Sequence, residues 1–118
     1  MPKDYLPKRQ PLDPCPVEQV LTMIGGKWKA RTLYLLAHHV YGFAALRREL
    51  GAVSQQVLST QLRALETDGL VSRSDGGDGA PVYAATAKGR DLVGLLTPVA
   101  EWGTRELASK GLVWSPPP

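Results

Sequence analysis

Ser54-Gln55-Gln56-Val57-Leu58-Ser59-Thr60-Gln61-Leu62-Arg63-Ala64-Leu65 is the stretch on which the fold turns. At about 100° per residue, Leu58, Leu62 and Leu65 fall within about 60° of one another and mark the apolar face of a helix. Val57 and Ala64 are expected to widen that face. Gln55, Gln56, Ser59, Thr60 and Arg63 fall opposite. Ser54 suits the N-cap, and Asp68-Gly69 ends the helix near Thr67. The polar face offers amide, hydroxyl and guanidinium groups with no acid near its start. Such groups pair with base edges and phosphates: glutamine with adenine, arginine with guanine, a hydroxyl at the helix start with a phosphate. The same residues also suit the solvated side of a structural helix, so the flanking elements decide between the two readings.

Working outward, Val17, Val20, Leu21 and Ile24 recur at helical steps between Pro16 and the stop Gly25-Gly26. A second helix is expected from Trp28 to Ala37, with Lys27, Lys29 and Arg31 making its start basic. An extended piece at Tyr41–Gly42 leads into a third helix, Phe43 to Leu50, which carries Arg47 and Arg48. After the helix of Ser54, Leu70 to Arg73 and Val82 to Ala85 read as paired strands around a loop, Ser74 to Pro81. Thr86 caps a single last helix, Ala87 to Ser109. Helices joined by a tight turn and followed by a β-hairpin make a winged helix-turn-helix. The expected fold class is therefore mainly α with a small β-hairpin. The first helix of such a unit crosses the DNA backbone, which suits Arg47 and Arg48.

Several motifs, in order, give the chain a specific likeness. Cys15-Pro16-Val17-Glu18, Ile24-Gly25-Gly26-Lys27-Trp28-Lys29, Phe43 with Leu46-Arg47-Arg48-Glu49-Leu50, the run Val53 to Arg63, Leu65 to Val71, Tyr83 before Thr86, and Glu101-Trp102-Gly103 together resemble the HxlR-type winged helix-turn-helix regulators, within the MarR-like superfamily. The resemblance spans residues 15–103. It implies a homodimeric repressor or activator with Ser54–Arg63 as the recognition surface and Lys27, Lys29 and Arg47 at phosphates. Two departures stand out. His38-His39-Val40-Tyr41-Gly42 replaces the usual loop. The wing is shorter and carries Asp75 and Asp78, leaving Arg73 as its one basic residue.

Composition bounds the alternatives. The 118 residues fit one domain. Its net charge is +3. Residues 1–63 hold nine Lys/Arg against four Asp/Glu, and residues 64–118 hold five against seven. A basic front half suits a polyanion. No run is apolar enough to span a membrane, and the start lacks a secretory signal, so a cytoplasmic, nucleoid-associated protein is expected. One cysteine and two histidines make an unpersuasive metal site. Gly76-Gly77 has no following helix to form a phosphate cradle. Neither a cofactor nor catalysis is expected.

Residues 1–13, rich in proline, read as an N-terminal arm, 14–110 as the winged helix domain, and 111–118 as a flexible tail. In the last helix Leu92, Leu95, Val99 and Trp102, broadened by Leu96, form a seam suited either to core packing or to a second copy of the chain. With the resemblance added, that seam is the expected dimer interface, and Pro98 is expected to kink it. Cys15 stands at a helix start, where a thiolate is favoured. The resemblance implies sensing of oxidants or electrophiles there. The plainer reading is a buried packing residue. The expected function is a sequence-specific double-stranded DNA-binding regulator, a repressor acting as a homodimer on a palindromic operator, with any small-molecule effector unspecified. The alternative is a winged-helix interaction module with weak or no specific DNA binding.

Overall fold

The computed structural model describes residues 14–114. The expected arm, residues 1–13, and the last residues of the tail, 115–118, lie outside the described residues. The order is α1 (Pro16–Ile24), α2 (Lys29–His38), β1 (Tyr41–Gly42), α3 (Phe43–Leu50), α4 (Gln55–Thr67), β2 (Val71–Asp75), β3 (Pro81–Ala85), α5 (Ala87–Leu95) and α6 (Thr97–Ser109).

Leucines at helical spacing on α2, α3 and α4 converge on one core. Leu33, Leu35 and Leu36 meet Leu46 and Leu50, then Leu58, Leu62 and Leu65. Leu70, Val71, Tyr83 and Ala85 close it from the sheet side. Each fully buried leucine contributes about 1.5–3 kcal/mol through removal from water. The three strands form an antiparallel sheet in the order β1-β3-β2. Tyr41 pairs with Tyr83 and Arg73 also pairs with Tyr83, from the opposite side. The extended piece at Tyr41–Gly42 is thus a third strand, and the wing is a three-stranded unit, not a bare hairpin.

Thr86 ties the sheet to α4. Its N–H donates to the Leu70 carbonyl at 3.0 Å and its hydroxyl to the Gly69 carbonyl at 2.6 Å. The same hydroxyl oxygen accepts the Gly89 N–H at 3.0 Å and caps α5. Gly89 is buried against the Leu70 carbonyl and the Leu33 side chain, leaving no room for a Cβ.

Four expectations need correction. The last helix is two helices, because Leu96 turns its N–H to both Leu92 and Val93 and Pro98 has no N–H with which to continue the ladder. Trp28 does not begin α2 as a helical residue. It is the N-cap, in the left-handed region at φ 81°, and its carbonyl accepts the Thr32 N–H at 2.9 Å and the Thr32 hydroxyl at 2.6 Å. Val57 does not widen the buried face of α4 but is exposed. The wing strands also run further than expected, to Asp75 and from Pro81.

Candidate nucleic-acid interface

Helix α4 is aimed by two side chains. The Ser54 Oγ accepts the Val57 N–H at 3.1 Å, satisfying a donor the helix start would leave unpaired. This uses the hydroxyl oxygen as acceptor, so the Ser54 O–H can still donate to a phosphate. From α3, the Arg47 Nε donates to the Val53 carbonyl at 3.0 Å and braces the turn before α4. Arg47 was expected only as a phosphate contact. Its structural bond occupies one N–H, and the rest of an exposed guanidinium faces outward.

Gln55, Gln56, Thr60 and Arg63 are exposed on α4, and Ser59 is half-buried among them. Arg63 and Arg48 have no partner among the described residues. No carboxylate stands between Ser54 and Arg63. Val57 lies on its flank. Sequence periodicity could not separate Val57 from the core, since it sits at the edge of the apolar sector.

The wing presents Arg73, exposed on β2. Asp75 and Asp78 shape its tip: the Asp75 Oδ1 accepts the Gly77 N–H and the Asp78 Oδ1 the Ala80 N–H, each at 3.0 Å. Side-chain-to-backbone bonds of this kind are what aspartate contributes to tight turns. At the sheet's other edge, burial first and Glu49 second push the Tyr41 hydroxyl above its ordinary pKa.

Lys27 and Lys29 lie elsewhere, at the junction of α1 and α2. The Lys29 Nζ reaches the Thr22 carbonyl at 3.5 Å. Lys27 lines a groove shared with α5 and α6. The resemblance implies phosphate contacts for both, apart from the recognition surface on α4.

The two terminal helices expose apolar side chains. Val17 and Leu21 on α1, Leu95 at the end of α5, and Val99 and Trp102 on α6 are all more than half exposed. Leu92 is partly buried against the core, and Leu96 lies half-buried at the α5–α6 corner. Cys15, at the N-cap of α1, is exposed, so the buried packing role does not hold. Its carbonyl accepts the Gln19 N–H at 2.9 Å. Beyond α6 the chain folds back: the Leu112 N–H bonds the Leu107 carbonyl, and the Trp114 ring meets Tyr34 edge-on at 6.0 Å. No described helix is long and apolar enough to cross a membrane.

Comparison with known proteins agrees with this geometry. A model of the HxlR-like helix-turn-helix family matches residues 23–110. An uncharacterised HTH-type transcriptional regulator of Halalkalibacterium halodurans, BH0655, is 36% identical over 105 residues, covering 86% of this chain and 93% of that one. Another from Bacillus subtilis, YdzF, is 37% identical over 92 residues, covering 75% and 84%. Among solved structures, the redox regulator HypR in its reduced form superposes with a TM-score of 0.72 at 34% identity, over 81% of this chain and 99% of that one. With a capped helix-turn-helix, a wing and a match across most of its length, the chain belongs to the HxlR-like helix-turn-helix family of DNA-binding transcriptional regulators.

Proposed function

We propose that this DNA-binding regulator acts as a homodimer on a palindromic operator, each α4 entering a major groove, with half-sites about one helical turn apart. The observation that carries the reading is the exposed, carboxylate-free face of Gln55, Gln56, Ser59, Thr60 and Arg63, held at its start by Ser54 and Arg47. Gln56 and Arg63 read base edges. Ser54, Arg47, Arg48 and Lys29 contact phosphates, and Arg73 reaches the backbone from the wing. Repression follows if the operator overlaps a promoter, by exclusion of polymerase.

The apolar side chains left exposed on α1, α5 and α6 support the dimer. Leu95, Val99 and Trp102, joined by Leu96 and the exposed edge of Leu92, would face a second copy, with Val17 and Leu21 beside them. Covering such a patch removes apolar area from water at about 25 cal/mol per Å².

Cys15 is the proposed redox-responsive group. Its exposure and its place at a helix start support reactivity, as does the similarity to HypR, itself a redox regulator. Being the chain's one cysteine, it would react across the dimer or with a small thiol.

The interaction-module reading draws on the acidic wing tip. Its two aspartates already serve the turn, which weakens the case that they mark a protein-binding surface. Selection of bound duplexes from a random library tests the choice. A recovered palindrome is expected; enrichment of no sequence, at low salt, overturns the regulator reading.

A further inference from the structure

Val57 is the large apolar side chain that the helix-turn-helix leaves in water. Leu46, Leu50, Leu58, Leu62 and Leu65 of α3 and α4 are buried, whereas 39% of the Val57 surface is exposed. The other large apolar side chains exposed among the described residues lie on α1, in the loop before β1, on α5 and α6, and after α6. None of those is on α3 or α4. A single valine offers a protein partner little area, but it matches a single methyl group.

Its place on α4 is fixed. The Ser54 Oγ accepts the Val57 N–H at 3.1 Å and the Ser54 carbonyl accepts the Leu58 N–H at 3.0 Å, so Val57 sits in the capped first turn. At about 100° per residue it lies about 60° around the helix from exposed Thr60, with Gln56 and Arg63 beyond Thr60 in the same exposed sector. Gln55 and Ser59 stand on the opposite flank. The first residues of a recognition helix are the ones that reach base edges. Valine is branched at Cβ and nearly fixed at χ1 in a helix, so it presents its methyl groups with little further loss of rotamer freedom.

In the major groove the thymine 5-methyl is the one apolar group on a base edge. The amides and the guanidinium of this face read donors and acceptors, and none of them recognises a methyl group. An exposed valine does, because it leaves water only when an apolar group meets it. We propose that Val57 packs on the 5-methyl group of a thymine in each half-site and makes α4 discriminate thymine from cytosine there. This rests on the reading that α4 enters a major groove.

The test starts from the palindrome recovered by selection from a random library. Each thymine is replaced in turn, symmetrically in both half-sites, by deoxyuridine, which keeps every donor and acceptor and deletes only the 5-methyl. Affinities of the full chain, wild type and Val57→Ala, are measured by anisotropy at one salt concentration. Alanine favours a helix and the Ser54 cap bonds a backbone N–H, so the variant keeps the fold, which the thermal unfolding midpoint checks. At one thymine position deoxyuridine should weaken the wild type about fourfold for each half-site, the worth of one methyl group withdrawn from water, and Val57→Ala by less than about twofold. A palindrome in which no thymine shows a Val57-dependent loss overturns the proposal and leaves the regulator reading standing. So does an equal weakening by Val57→Ala on thymine and deoxyuridine duplexes, which would assign Val57 to the sugar–phosphate backbone. Enrichment of no sequence overturns the regulator reading, and the proposal with it.

Discussion

Arg47 reaches across the turn of the helix-turn-helix to Val53, its Nε donating to the backbone carbonyl at 3.0 Å. One residue of α3 thereby braces the turn that leads into α4. Removing it leaves a half-buried carbonyl without its charged donor, which costs about 1–2 kcal/mol. Arg47→Ala should lower stability by about that amount in a denaturant melt and also weaken cognate and random DNA binding. Arg47→Lys should recover part of the DNA affinity but little of the stability, because an ammonium lacks the planar guanidinium fork.

Reading and anchoring should separate along α4 and α3. Gln56→Ala and Arg63→Ala are expected to reduce preference for the selected site by about 1–3 kcal/mol per lost base contact. Arg48→Ala and Lys29→Ala should weaken selected and random duplexes alike. Competition anisotropy on the four variants checks this. Equal losses on both duplexes for all four would place the reading face elsewhere.

Binding should weaken steeply with salt. Each neutralised phosphate contributes about 0.9 to the log–log slope, so six contacts per dimer give a slope near −5. A salt series by fluorescence anisotropy measures it. A nearly flat slope would remove Arg47, Arg48 and Arg73 from the backbone contacts.

Among the helical glycines Gly89 is the tightly enclosed one. A Cβ there would collide with the Leu70 carbonyl and press on Leu33. Gly89→Ala should destabilise by about 1–3 kcal/mol, since overpacking must displace backbone on the sheet side. It should leave DNA affinity per folded molecule little changed. Chemical denaturation and anisotropy on the same sample separate the two quantities.

Oxidation of Cys15 should act between chains. Hydrogen peroxide converts a thiol to a sulfenic acid, releasing water, and a second thiol then displaces another water to form the disulfide. A reducible covalent dimer is expected if the two Cα atoms approach within about 7 Å, and otherwise a small-thiol adduct. Non-reducing gels and intact mass identify the product; anisotropy with wild type and Cys15→Ser reports affinity. Unchanged affinity after confirmed modification would exclude a regulatory thiol.

Local chemistry made much of this protein readable from the chain. Ser54 and Thr86 cap the helices they were expected to cap, because an N-cap is a contact over three residues and needs no tertiary partner. Leu58, Leu62 and Leu65 are buried where periodicity put them, since one face of α4 had to leave water. The polar face opposite follows by the same geometry.

Tertiary structure decided what depends on residues far apart in sequence. Tyr41–Gly42 became a strand through Tyr83 and Val82, some forty residues away, whose edge it pairs. Val57, at the border of two sectors, was assigned by what packs near it and not by its own hydrophobicity. Pro98 could be read as an interruption, but whether it bends or breaks the helix depended on Leu96 finding the carbonyls of Leu92 and Val93. Trp28 adopts a left-handed backbone that no propensity favours, held by Thr32 and flanked by two cations. Sequence alone determined the helix-turn-helix and the polar face of α4, because both rest on contacts within one or two turns of helix. Only packing decided the third strand, the broken terminal helix and the groove that Lys27 lines, because each brings together segments that local preference leaves apart.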